Sequence, residues 1–296
     1  MMNRGKSLQA RFPWHGWLGL FLIALFWYFN WGLSGLRTHW AFFPLWLGYI
    51  LTLDALVYYR QGHSWFSRSP KRFALLFLLS APFWWVFEAL NVRARYWLYT
   101  PIDSFSDLEY YLYCSLNFSV VLPAILVTAQ FFLTFSRLRE LGPGWRVGRR
   151  PATAWLFFIM GWLMLAATLL WPQYGLAFLW MSLYFILDPI NLWLGRPSLL
   201  RRTARGDWRL VLALWLSGLA CGFFWEFWNN YSSPKWLYQL PYADFWHVFE
   251  MPLLGYLGYL PFALELYAMY ALFEPWLGLA GMDQANNNGH SHLKRN

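Results

Sequence analysis

Residues 84–99 read WWVFEALNVRARYWLY, and residues 223–238 read FFWEFWNNYSSPKWLY. Both stretches follow one order. A run rich in Phe and Trp ends in Glu88-x-x-Asn91 or Glu226-x-x-Asn229, and Trp97-x-Tyr99 or Trp236-x-Tyr238 follows. The correspondence continues on either side. Upstream, an apolar run closes on Asp54 or on Asp188, and a basic loop follows each. Downstream, Leu122-Pro123 and Leu260-Pro261 fall in the last apolar run of each half. The offset between matching positions stays near 134–139 residues. Five matches in the same order read as an internal duplication.

The composition sets the medium in which the copies fold. The chain has 296 residues, of which 59% are hydrophobic, 23% aromatic and 12% charged. A soluble domain carries about 25% charged residues. The balance excludes a disordered chain, a disulfide scaffold and an ordinary cytosolic globule, and it points to an integral membrane protein. Eight apolar runs of roughly 20 residues, about the length that crosses a bilayer, lie at 14–36, 41–59, 73–92, 111–136, 153–172, 175–195, 210–231 and 248–273. The first follows Arg4, Lys6 and Arg11 as a secretory signal would. It lacks a small-residue cleavage site, so it reads as a retained helix.

Orientation follows from the basic residues. Nineteen of the 23 Lys and Arg lie in the N-terminus, the 60–72, 137–152 and 196–209 loops and the C-terminal tail; Arg37, Arg93, Arg95 and Lys235 lie on the other face. This bias predicts cytoplasmic termini in a cell membrane. It also accounts for the net charge of +9 without nucleic acid. Four helices per copy is an even number, so both copies enter the membrane alike and are related by an axis along its normal. The expected fold is an all-α polytopic bundle of eight transmembrane helices in two parallel four-helix repeats. Its parts are a cytoplasmic N-terminal segment (1–13), a first repeat (14–136), a basic cytoplasmic linker (137–152), a second repeat (153–276) and a disordered cytoplasmic tail (277–296) that holds His290 and His292. Cys114 and Cys221 sit in apolar runs as unpaired small hydrophobes.

Seven acids lie in or beside the spans: Asp54, Glu88, Asp188, Glu226, Glu250, Glu265 and Glu274. A charge at the bilayer centre costs about 2.5–3.5 kcal/mol on insertion scales, so such a set should face a protein interior or a wet cavity. Residues three apart on a helix share a face. Asn91 and Asn229 are therefore placed to orient Glu88 and Glu226, or to bind a ligand themselves. The parallel arrangement puts the two Glu at one level in the outer half of the bilayer, with Asp54 and Asp188 nearer the cytoplasm. Glu88, Glu226 and Glu250 are the candidate catalytic acids. Asn91, Asn229, Trp84, Trp225, Trp97, Trp236, Tyr99 and Tyr238 are the candidate substrate contacts. Asp54, Asp188 and Glu265 form a secondary polar set, in which the two Asp read equally well as helix-end acids. Interfacial belts explain many of the 23 Trp, but those beside the Glu-Asn pairs suit a pocket for an apolar ligand or a developing cation. Gly218-x-x-x-Gly222 has the spacing of close helix packing.

In the second copy, Leu187-Asp188, the loop 196–209, Trp225-Glu226, Pro241-Tyr242 and Phe249-Glu250-Met251-Pro252 stand in an order that resembles the membrane-bound lycopene cyclase domain of the two-part bacterial type, which occurs in pairs. The first copy matches through Asp54, the loop 60–72 and Glu88. The resemblance covers about three helices of each four. The family's adjacent Glu-Glu pair is absent, since Leu253 and Leu254 follow Pro252. The resemblance implies a polytopic bundle acting on an apolar polyene.

The spans offer no pair of His suited to haem, no nucleotide-binding loop, no zinc or nucleophile motif and no Asp-rich diphosphate motif. No metal and no cofactor is expected. The first functional expectation is an intramembrane enzyme that acts on an isoprenoid, carotenoid or related lipid by carboxyl acid–base chemistry, as a cyclase or isomerase does. The second is a proton-coupled transporter or lipid translocator, and the third is an assembly subunit of a membrane complex. Membrane lipid or an apolar small molecule is the expected partner, with a homo-oligomer or a larger complex as the setting.

Overall fold

A computed structural model describes residues 11–240 and 242–277. The tail from 278 onward and residues 1–10, with Arg4 and Lys6, lie outside the described residues, so the expectations placed there have no structural counterpart. The chain is mostly helical. Its longer helices are α1 (Trp14–Gly32), α2 (Thr38–Gln61), α3 (Pro70–Ala94), α4 (Asp107–Phe118), α5 (Val121–Phe132), α6 (Pro151–Leu170), α7 (Leu176–Trp193), α8 (Arg209–Asn229) and α9 (Tyr259–Leu277).

Local chemistry sets their ends. Ser69 caps α3 through the Arg72 amide, with Pro70 at the first helical position, where a missing N–H costs nothing. Ser106 and Glu109 form a reciprocal capping box on α4. Gly62 closes α2 in the left-handed region, at φ 76°, where glycine carries no Cβ penalty.

Among the described residues, six helical segments are long and apolar enough to cross a membrane: α2, α3, α4 continued by α5, α6, α7 and α8. The runs expected at 14–36 and 248–273 are helical over Trp14–Gly32 and Tyr259–Leu277, outside that set of six. Before α9, residues 247–258 form a small hairpin, β3 (His247–Val248) with β4 (Met251–Pro252), and a 3-10 segment. Pro252, Gly255 and Gly258 disfavour a helix there. The all-α expectation is corrected in a second place. Trp97–Thr100 (β1) and Lys235–Tyr238 (β2) are strands, paired antiparallel with each other.

The core lies among α2, α5, α8 and α9. Every residue of α9 from Phe262 to Ala271 is buried, as befits a helix enclosed on all sides. In α6 only 22% of the most apolar stretch is buried, against 61% in α2. Trp155, Ile159, Trp162 and Leu163 are exposed along α6, so this helix has an outward apolar face. Two close crossings depend on glycine. A Cβ on Gly48 would come within 2.7 Å of the Gly19 carbonyl oxygen of α1, and one on Gly218 would collide with the Tyr259 carbonyl oxygen of α9.

Candidate functional site

The site begins where α3 and α8 end. Asn91 Nδ2 donates to the Trp97 carbonyl at 2.8 Å, and its Oδ1 accepts from the Tyr96 amide at 2.8 Å. Asn229 Nδ2 donates to the Trp236 carbonyl at 2.8 Å, and its Oδ1 accepts from the Trp236 amide at 3.0 Å. Each amide thus holds the chain that follows its helix in extended form. The sequence expectation is that these Asn orient the neighbouring carboxyls or bind a ligand; here each spends one donor and its acceptor oxygen on the backbone that follows.

The two strands meet with Trp97 opposite Tyr238 and Tyr99 opposite Trp236. Side chains two apart on a strand share a face. All four of these rings line one cavity of about 710 Å³. Its other walls include Trp84, Trp180, Trp225, Tyr259, Phe262, Met181 and Met251. Phe262 of α9 sits among the aromatic walls, with ring centroids 5.5 Å from Trp180, 5.9 Å from Trp84 and 6.0 Å from Trp225. Trp97 stacks on Trp180 at 5.7 Å. A cavity of this volume and lining suits an apolar ligand.

Glu88 and Glu226 stand one layer behind this wall. Glu88 Oε1 accepts from Trp84 Nε1 at 2.8 Å, Trp97 Nε1 at 3.1 Å and the Tyr99 hydroxyl at 2.6 Å. Glu226 Oε1 accepts from the hydroxyls of Tyr238 at 2.7 Å and Tyr259 at 2.5 Å. All five donors belong to residues that line the cavity. Burial pushes the phenols of Tyr99 and Tyr238 well above their usual range, and the adjacent carboxylates push the same way. Both phenols therefore keep their protons and serve as donors. The two acids differ in surroundings. Glu226 is fully buried, and its Oε2 has no hydrogen-bond partner. Glu88 is half-buried and borders a second hollow of about 440 Å³ with Arg95 and Gln239.

Glu250, Asp54, Asp188 and Glu265 make contacts of their own. Glu250 forms an ion pair with Lys235, which lines the cavity, so Glu250 serves as that cation's partner. Asp54 accepts from Ser64 Oγ at 2.5 Å and the Phe66 amide at 3.2 Å, and His15 Nε2 lies 3.2 Å away. Asp188 accepts from Ser198 Oγ at 2.9 Å and the amides of Leu199 and Leu200 at 2.7 and 2.8 Å. Both Asp thus tie down the short helical turns Trp65–Arg68 and Leu199–Thr203. Glu265 Oε1 accepts from the Leu183 amide of α7 at 2.9 Å.

Sequence reading did not single out Tyr259, Trp180, Phe262, His39 or Asn117. Tyr259 immediately precedes the repeated Leu260-Pro261 and was within reach of a closer reading. Trp180 and Phe262 carry no local signal, since only packing distinguishes them from other aromatics. Comparisons of the chain with protein-family models, with curated proteins and with solved structures give no match.

Proposed function

We propose that this protein is an intramembrane enzyme that isomerises or cyclises an apolar isoprenoid, carotenoid or related lipid by carboxyl acid–base chemistry. The observation that carries the reading is the aromatic cavity whose wall is held from behind by Glu88 and Glu226. The ligand lies along Trp97, Tyr99, Trp236 and Tyr238. Glu226 acts in its protonated form: the phenol of Tyr238 or Tyr259, its hydroxyl turned to the ligand, gives its proton to one carbon of a double bond, whose π pair forms the new C–H bond, and the phenol oxygen takes the carboxyl proton of Glu226 in its place. The aromatic faces stabilise the resulting cation. A proton then leaves a neighbouring carbon to a carboxylate on the Glu88 side, so a double bond is regained without an oxidant or a leaving group. The half-buried Glu88 exchanges protons with the outer hollow.

The proposal includes eight crossings, with α1 and α9 added to the six apolar segments, both termini in the cytoplasm, and two copies related by an axis along the membrane normal. Three pairs of contacts support the copies: Asp54–Ser64 with Asp188–Ser198, Asn91–Trp97 with Asn229–Trp236, and the strands that pair with each other. A self-complementary pairing of Trp against Tyr in both directions is what a two-fold relation produces.

The test is expression in cells that accumulate polyenes, followed by analysis of the lipid extract. The protein should convert a polyene to an isomer of equal mass. Glu226→Gln should lower conversion at least about 100-fold, the usual scale for losing a positioned acid. An unchanged extract with every polyene supplied removes the reading. The opening of Glu88 on a second hollow favours a proton-coupled translocator as the alternative. In that case liposomes would show pH-dependent lipid movement with no change in covalent structure.

A further inference from the structure

Two stretches of the cavity wall that correspond in sequence differ in how they are held. Leu122-Pro123 and Leu260-Pro261 set an offset of 138 positions. At that offset Tyr113, Asn117 and Val121 match Met251, Gly255 and Tyr259, and all six line the cavity. The first stretch runs along α4 into α5. It is a capped helix tied to its neighbours by three hydrogen bonds: Asn117 Nδ2 to the His39 carbonyl at 3.2 Å, Ser80 Oγ to the Phe118 carbonyl at 2.6 Å and Trp85 Nε1 to Ser115 Oγ at 3.0 Å.

The second stretch is the hairpin and 3-10 segment at 247–258, which leads into α9. Its hydrogen bonds stay local. The Leu253 amide donates to the Trp246 carbonyl at 2.9 Å, and the Tyr256 hydroxyl donates to the Val248 carbonyl at 3.1 Å. Among the described residues, the ion pair of Glu250 with Lys235 of β2 is the one polar contact that joins 247–258 to any residue outside 244–259. Apolar packing also holds the segment, as of Phe249 on Phe227 of α8 at 5.5 Å, but such packing is non-directional. Leu254 and Leu257 line the cavity and are 48% and 58% exposed, so this wall is a single side chain thick. Trp246 and Phe249 hold φ at 49° and 60°, a left-handed backbone unfavourable to bulky side chains.

We propose that 247–258 is a lid over the cavity, latched by Lys235–Glu250, and that the apolar ligand enters beneath it. The entrance rests on the reading of the cavity as a ligand site. The ion pair holds the lid to β2, and the two left-handed residues favour its release.

The experiment uses the full chain in lipid nanodiscs, with Cys114 and Cys221 replaced by Ala and one reporter thiol added. Val121→Cys lies on the cavity wall in α5, away from the lid. Leu122→Cys, beside it, is fully buried and does not line the cavity. Labelling by N-ethylmaleimide is followed by mass spectrometry, and with fast opening its rate tracks the open fraction. Lys235→Met or Glu250→Gln should speed labelling of Val121→Cys about tenfold, the scale of losing a half-buried ion pair. Leu122→Cys should stay unreactive. Exchanging the charges, Lys235→Glu with Glu250→Lys, should restore the slow rate. High salt should speed the parent and not the Lys235→Met variant. One labelling rate at Val121→Cys with and without the latch overturns the proposal. An equal rise at Leu122→Cys does so too, since it marks a loosened fold. Where a variant does not fold the parent decides, and a rate indifferent to salt overturns the latch. The readout needs no ligand, so its failure is separate from a failure to convert a polyene.

Discussion

A carboxylate shut away from water needs donors, and Asp188 has three. Ser198 Oγ and the amides of Leu199 and Leu200 converge on it. It works as a helix-capping acid supplied from ten residues upstream, and Asp54 does the same for the turn after Ser64. An unsatisfied buried donor costs about 1–3 kcal/mol. Asp188→Ala strands three and should lower stability by at least that much, read as the shift in thermal aggregation of the detergent-purified protein. Asp188→Asn keeps one acceptor oxygen and should fall between. An Ala variant as stable as the parent would show that these contacts contribute nothing. Glu226 is the contrast. Its Oε1 is satisfied by two phenols while its Oε2 has no partner. Glu265 also has one oxygen without a partner, but its other oxygen accepts from a helix amide, whereas that of Glu226 accepts from two phenols of the cavity wall.

The junction of α4 and α5 shows how an element bends inside an apolar medium. In a regular helix the Leu122 amide would bond to the Phe118 carbonyl. Here Ser80 of α3 sits between them, donating to Phe118 O at 2.6 Å and accepting from Leu122 N at 2.9 Å. Pro123, with no N–H, follows directly. A side chain inserted into the ladder is a recognised cause of a kink. The kink keeps Phe118 and Val121 on the cavity wall. Ser80→Ala leaves a carbonyl and an amide unpaired away from water. It should cost about 1–3 kcal/mol and loosen ligand binding, whereas Ser80→Thr should retain both bonds. Unchanged melting in the Ala variant would remove Ser80 from this role.

The arrangement of the halves explains how distant segments come to build one chamber. The walls come from both halves, from α3 and β1 on one side and α8, β2 and α9 on the other, and the strand pair closes it. In the proposed orientation this chamber lies in the outer half of the bilayer, and the loops rich in Arg face the cytoplasm. The segment at 101–106 is then outside and that at 137–150 inside. In a background lacking Cys114 and Cys221, a membrane-impermeant maleimide added to intact cells should label Ser104→Cys and leave Leu141→Cys unlabelled until the cells are opened. The reverse pattern would invert the topology.

Six long apolar helices, most helix positions and the matching order of Glu-x-x-Asn and Trp-x-Tyr in 84–99 and 223–238 were legible along the chain. They rest on transfer free energy and composition, which act within runs of about 20 residues. Glu88 and Glu226 stand out in the sequence for the same reason: an acid in an aromatic span is conspicuous wherever it occurs. The strands were not. Trp97 and Tyr238 are paired across 140 intervening positions, and no local pattern announces a partner that far away. The bonds of Asn91 and Asn229 to the following backbone were not legible, because helical spacing records which side chains share a face, not which neighbour offers a hydrogen bond. Trp180, Phe262 and Ser80 acquire their roles through contacts with other helices. A cavity is a property of packing, and it exists only after every helix has been placed against its neighbours.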